Sequence, residues 1–203
     1  MPVSSSLSHA LTFKQGDILP PSAESLWRID EGFVRTLTWN DEGDLITLGV
    51  WGDGDVVGRP LSQIKPFQME CLTAVQVEPL SPTQNHVQEA MCFQVRCMEE
   101  FLSIIGYKRA PLRLLKFLQW LAQRFGRDVD QGRMLDLRLT HQLLADITGI
   151  TRVTATRLLK QFEEEGRLTR LKKHRILLKE ALWQQDEQQL PAVLKGLRMD
   201  VSS

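Results

Sequence analysis

The stretch LTHQLLADITGITRVTATRLLKQFEEEGRLTR, Leu139 to Arg170, decides the fold of this chain. Thr140 offers a hydroxyl that can accept from an unpaired backbone N–H, and Leu143, Leu144 and Ile147 follow at helical spacing. Gly149 can turn the backbone where that helix ends. Thr151 then caps a second helix, for which Val153, Ala155, Leu158, Leu159 and Phe162 are predicted to face inward. The other face carries Arg152, Thr154, Thr156, Arg157 and Lys160, donors suited to base edges and phosphates. Two short helices joined by a tight, glycine-containing turn read as a helix-turn-helix. Gly166 stops the second helix, and the alternation of Leu168–Leu178, with Lys172, Lys173 and His174 between its halves, predicts a β-hairpin wing. An amphipathic hairpin with a solvated basic face is the bland alternative. The two capped helices, the small residues at the turn and the basic wing directly after them favour DNA binding.

Charge is distributed to match. The 203 residues have no net charge, but residues 1–107 hold 6 Lys and Arg against 14 Asp and Glu, whereas residues 108–180 hold 17 against 8. Such asymmetry is expected when only one half of a chain meets phosphate. A hydrophobic content of 42 % with 25 % charged residues is that of a globular protein. No apolar run approaches the length that spans a bilayer, and MPVSSSLSHA lacks a signal-peptide core, so a cytoplasmic location without membrane contact is expected. Cys71, Cys92 and Cys97 form no C-x-x-C pair and are expected to be buried free thiols. His9, His86, His141 and His174 show no ligand spacing, so no metal or other cofactor is expected.

Residues 11–82 read as many short strands. The apolar runs Leu26–Ile29, Phe33–Leu37 and Leu45–Val50 are separated by turn signals at Glu31-Gly32, Asn40–Gly43 and Gly52–Gly54, a spacing that suggests a barrel or jelly-roll. From Thr83 to about Tyr107 the pattern is helical. Val87, Met91, Gln94, Met98, Phe101 and Ile105 recur at spacings of four and three, a heptad seam suited to a second copy of the chain. A further stripe of Phe93, Val95 and Leu102 is placed against the strands. Pro111 and the run Leu112–Phe125 begin another helix, so a boundary falls near Lys108–Pro111. Glu180–Leu197 reads as an amphipathic tail helix interrupted or capped at Pro191.

The segment Asp136–Leu178 resembles the C-terminal winged helix of the cyclic-AMP receptor protein/fumarate-nitrate regulator (CRP/FNR) family. ITRVTATRLL, Ile150 to Leu159, is most similar to its nitrogen-control branch, which carries TRVT-x-TRLL. FKQGD (Phe13–Asp17), DEGFVR (Asp30–Arg35) and WGDGDVVG (Trp51–Gly58) resemble, more loosely, the glycine landmarks of that family's β-roll. The resemblance implies an α+β protein with a β-roll (jelly-roll) sensor domain over 1–82, a dimerisation helix over 83–109, and a winged helix-turn-helix with a tail helix over 110–203. It implies a homodimeric, sequence-specific transcription regulator of palindromic double-stranded DNA. DNA contacts are expected from Thr140, Gln142, Thr151, Arg152, Thr154, Thr156, Arg157, Lys172 and Lys173, and from Val153 if it faces the groove rather than packing inward. The hairpin Trp39–Asp44 resembles the acidic loop through which some members touch RNA polymerase.

The effector is harder to read. Cyclic-nucleotide members place a glutamate after the glycine that here is Gly58, and an Arg-Ser pair further on holds the phosphate. This chain has Arg59 and Pro60, and no Arg-Ser or Arg-Thr pair before Thr73. Without that guanidinium the phosphate loses its charge-assisted hydrogen bonds, so cyclic AMP is not the expected effector. Arg59 could hold another anion, such as a dicarboxylate. The N-terminal cysteine cluster of the iron–sulfur members is absent. Two competing functions remain: an architectural DNA-binding protein regulated by abundance, and a cupin-like enzyme with a DNA-binding tail. The second needs several metal-binding histidines, and residues 11–82 contain none.

Overall fold

The computed structural model describes residues 10–22, 26–81, 83–172 and 175–179, with the backbone alone at Gln84 and His86. The strands come first: β1 (Leu11–Phe13), β2 (Leu26–Glu31), β3 (Val34–Trp39), β4 (Leu45–Trp51), β5 (Val56–Val57), β6 (Gln68–Cys71) and β7 (Val75–Leu80), with a 3-10 turn at Arg59–Leu61 between β5 and β6. They form two facing antiparallel sheets, ordered β1-β7-β2-β5 and β4-β3-β6. On β2 Leu26, Trp27 and Ile29 are buried, whereas Arg28 and Asp30 are exposed. Leu19, Ile29, Val34, Trp51, Val57, Met69, Val75 and Val77 fill the space between the sheets. Gly32, at φ 93, stands where a Cβ would lie 2.2 Å from the Ala74 carbonyl oxygen, so the turn into β3 admits no side chain. Five of the six residues of β3 are buried, Arg35 among them, because this strand is covered on both faces.

Helix α1 (Gln84–Ile105) leads into α2 (Ala110–Phe125), whose Pro111 sits in the first turn, where its missing N–H costs nothing. Helix α2 is the centre of the second half, with Leu114, Leu115, Phe117, Leu118, Trp120, Leu121 and Ala122 all buried. Then follow β8 (Arg127–Val129), β9 (Gly132–Leu135), α3 (His141–Thr148), α4 (Arg152–Glu164), β10 (Leu168–Arg170) and β11 (Ile176–Lys179). The last strands form one sheet in the order β10-β11-β9-β8. The β10–β11 hairpin pairs Leu168 with Leu178, as the alternation of that segment predicts. The β8–β9 hairpin lies in a part of the chain the sequence reading left unassigned.

Helix α1 departs from the predicted facing. Phe101 is 6 % exposed, and its ring lies 6.2 Å from Phe117 and 6.0 Å from Trp120, so it belongs to the core of its own chain. Gln94 donates from Nε2 to the Val56 carbonyl at 3.1 Å and so faces the strands. Phe93, Val95 and Leu102, placed against the strands by the sequence reading, are 44, 52 and 65 % exposed. The stripe left uncovered is Met91, Val95, Met98 and Leu102, also spaced four, three and four. This uncovered stripe differs from the predicted seam by one position at Gln94 and Phe101. Cys92 is exposed, whereas Cys71 and Cys97 are buried. Burial, then Asp17 and Glu70 nearby, push the Cys71 thiol up to about 11, so it stays protonated at neutral pH. No described helix is long and apolar enough to cross a membrane. The tail helix predicted over 180–197, with Lys173 and His174, lies outside the described residues.

Arg124 joins the two halves. From α2 it donates to the Val50 carbonyl at 2.9 Å and to Asp55 Oδ2 at 2.7 Å. Its guanidinium lies 4.5–5.7 Å from the ring centres of Phe125, Trp120, Phe93 and Trp51. The Asp55 carboxyl is pushed up by burial, against the pull of Arg124. Phe33 meets Phe125 edge-on at 5.2 Å beside this pair.

Candidate nucleic-acid interface

Helix α3 starts where Thr140 accepts from the Leu143 N–H, and α4 where Thr151 accepts from the Thr154 N–H. Both are hydroxyl caps of the predicted kind. Gly149 ends α3 in the left-handed region, at φ 62 and ψ 40, which turns the chain into α4 within three residues. A signal missed in the sequence is Arg113 on α2. Its guanidinium donates to the carbonyls of Thr148 at 2.6 Å, Gly149 at 3.3 Å and Tyr107 at 2.7 Å. A cation there satisfies the free carbonyls and negative dipole end of α3, and fixes the angle at which the helix pair leaves the core.

Ala155, Leu158, Leu159 and Phe162 are buried and pin α4 against α3 and α2. Val153 is not one of them, since it is 79 % exposed. The buried set recurs at i, i+3, i+4 and i+7, and Val153, two residues before its first member, falls on the far side of the helix. With Arg152, Thr156, Arg157 and Lys160, also exposed, it makes one continuous outward face. Thr156 is less free than expected. Its hydroxyl donates to the Arg152 carbonyl at 2.9 Å, and its oxygen lies 2.8 Å from His141 Nδ1. Its one proton is committed, and His141, missed in the sequence reading, ties α3 to α4 across it. Thr154 is half-buried, its hydroxyl 2.9 Å from that of Thr151. Gln142 is exposed and donates to Asp146 Oδ1 at 2.6 Å.

Two ion-pair groups hold the wing beside this face. Glu163 on α4 accepts from Arg170 of β10 at 2.6 and 2.9 Å, and these bonds hold its carboxyl below the usual range. Asp136 accepts from Arg127 at 2.7 Å and Arg175 at 3.1 Å; the bond from Arg127 is the larger cause of its lowered carboxyl. Lys172 is exposed at the wing tip. The assembly is a helix with an exposed cationic and apolar face beside the hairpin that carries Lys172.

A match to the Crp-like helix-turn-helix domain covers residues 112–184. The regulatory protein CysR of Synechococcus elongatus is 43 % identical over 165 residues, 80 % of this chain and 80 % of that one. This chain belongs to the CRP/FNR family. The global nitrogen regulator of Synechocystis is 36 % identical over 169 residues, covering 74 % of this chain and 75 % of the other. Among solved structures, FixK2 of Bradyrhizobium japonicum superposes with a TM-score of 0.76 at 18 % identity, covering 92 % of this chain and 99 % of that one. A CRP-family regulator of Thermus thermophilus gives 0.71 at 22 %, covering 90 and 99 %. The fold is that of CRP/FNR regulators, and the protein is a DNA-binding transcription regulator of this type rather than an enzyme.

In this CRP/FNR chain the cavity between β-roll and α1 is about 80 Å³, lined by Thr36, Trp51, Gly58, Phe67, Gln94 and Met98 among others. Trp51 is 2 % exposed and donates to the Thr36 hydroxyl at 2.9 Å. Arg59 does not line this cavity. Its guanidinium donates to the Ile64 carbonyl at 2.5 Å and the Gln63 carbonyl at 3.5 Å, and lies 5.7 Å from the Phe67 ring centre. It holds its own loop closed, a local role that the sequence pattern alone does not distinguish from anion binding. The Trp39–Asp44 hairpin is a tight turn in which Asn40 Oδ1 accepts from the N–H groups of Glu42 and Asp44.

Proposed function

We propose that the protein binds a palindromic DNA site as a homodimer, each protomer placing α4 in the major groove. The exposed Arg152–Val153–Arg157 face in the N-terminal half of α4 carries this reading. Arginine's planar fork matches O6 and N7 of guanine, so Arg152 takes a G in each half-site. Arg157, a turn and a half further on, takes a base or a phosphate. Val153 has no hydrogen-bonding group and meets a thymine methyl. Thr140, Gln142, Lys172 and Lys173 take phosphates, with the Thr140 hydroxyl accepting from α3 and donating outward. Pairing runs through the uncovered α1 stripe, Met91, Val95, Met98 and Leu102. The acidic Trp39–Asp44 tip is the surface offered to RNA polymerase.

Cyclic AMP is not the effector on this reading. Arg59 is spent on its own loop, and the cavity is small and carries no cationic side chain among its described lining. Calorimetric titration with cyclic AMP should give no binding heat at micromolar ligand; a micromolar complex would overturn this part. The main reading is tested by competition, in which a palindrome bound by the protein is displaced with its own sequence or a scrambled one of equal length. Specific affinities typically exceed non-specific ones by ~10³ or more. Equal competition by both would instead make the protein an architectural binder.

A further inference from the structure

Thr156 stands on the outward face of α4 but keeps little hydrogen-bonding capacity for a partner there. Its hydroxyl donates to the Arg152 carbonyl, one turn back along the helix, at 2.9 Å. A hydroxyl has one proton and two lone pairs. The proton is spent on Arg152, so at the 2.8 Å contact with His141 the hydroxyl oxygen accepts and Nδ1 donates. His141 opens α3, so this bond fixes the Thr156 side chain from outside its own helix. Bonding to the carbonyl four residues earlier holds the oxygen against the helix backbone. One lone pair and the γ-methyl are what Thr156 has left to present.

Its surroundings favour the methyl. Val153, three residues earlier and so beside Thr156 on the helix surface, is 79 % exposed and has no polar side-chain atom. Thr156 is itself exposed, and the two β-branched side chains make an apolar strip. Arg152 and Arg157, also exposed, adjoin the strip at its two ends. In the major groove the apolar feature of a base edge is the C5 methyl of thymine.

We infer that Thr156 is a specificity-determining residue that reads a thymine through its methyl group, and that His141 positions it by holding its hydroxyl away from the bases. The assignment rests on the placing of α4 in the major groove, and it adds a second apolar contact in each half-site beside that of Val153. A threonine hydroxyl free to rotate would bond to donors and acceptors alike and discriminate less. His141 thus acts on base choice without touching a base.

The test uses the full-length protein and the duplex it selects from random DNA. Thymines of that duplex are replaced one at a time by uracil, which removes the C5 methyl and keeps every hydrogen-bonding group. Competition between the two duplexes gives a thymine-to-uracil affinity ratio internal to each protein variant. At one thymine of each half-site the ratio should be about fourfold, the worth of one buried methyl. There it should persist in Thr156→Val, which keeps the methyl and lacks the hydroxyl, and vanish in Thr156→Ser, which does the reverse. His141→Leu, with no N–H to donate, should lower it, and His141→Asn, whose amide restores a donor, should bring it back. Loss of the ratio in Thr156→Val, or its survival at every thymine in Thr156→Ser, would overturn the methyl contact. An unchanged ratio in His141→Leu would overturn the role of His141. A featureless selected pool would contradict the placing of α4 and this assignment with it, whereas a defined site indifferent to uracil would refute the methyl contact and leave the major-groove placing intact.

Discussion

At the scale of single residues, Val153 makes the sharpest demand. A β-branched apolar side chain left 79 % exposed on a helix otherwise well packed gains nothing for the fold. Replacing it should move stability by no more than ~0.5 kcal/mol. On the proposed reading it meets a thymine methyl, and Val153→Glu would put an acceptor for cytosine N4 there instead. Binding should shift towards G·C at one position of each half-site by roughly 1–3 kcal/mol, measured by competition between sites differing only there. An unchanged preference would remove Val153 from the base-reading face. This residue also marks a limit of sequence reading. Its apolar type argues for the core, and only the phase set by Ala155, Leu158, Leu159 and Phe162 puts it outside. His141 and Arg113 were illegible for a related reason: each acts on another element's backbone or hydroxyl, 15 and 35 residues away.

Among the elements, α1 carries two apolar stripes side by side, each with spacings of three and four. Periodicity identifies such stripes but not which of them is internal. That choice depends on Phe117 and Trp120 of α2 arriving at Phe101, a long-range event. The consequence is a contrast between neighbours. Leu102→Glu should give folded protein that sediments as monomer and loses palindrome binding, because a paired α1 would bury an uncompensated charge. Phe101→Ala should leave pairing intact but cost about 3–5 kcal/mol of stability through the cavity it opens against Phe117 and Trp120. A Leu102→Glu protein that stayed dimeric would move the interface elsewhere.

The wing makes a pH-dependent prediction. The native Asp136 carboxyl titrates below its unfolded value of about 4, through Arg127 and Arg175. Its stabilisation is therefore complete above about pH 4 and is lost as pH falls through the lower native value. Denaturation of Asp136→Asn should show a deficit at neutral pH that closes in acid. A deficit equal at pH 7 and in strong acid would mean that the two ion pairs do not hold β8, β9 and the wing together. The hairpin of β10 and β11 was legible from the apolar residues on either side of Lys172; its partnership with β8 and β9 was not, because strands of three and four residues carry too little pattern.

For the whole molecule, much of the architecture lay in local signals: glycine turns between short strands, two hydroxyl caps and Gly149. What joins the halves did not. Arg124 looks in sequence like a solvated charge at the end of an amphipathic helix, and Asp55 like a turn residue. Together they form a buried pair 69 residues apart, under four aromatic rings. The strands of the β-roll and helix α2 are thus joined by one buried ion pair. The central claim is that α4, paired by α1, reads bases on a two-fold axis, and selection of bound sites from random DNA tests it most directly. The account predicts a two-fold symmetric consensus, its half-sites about one helical turn apart, with a guanine in each half. A featureless pool, or a single unrepeated half-site, would contradict it.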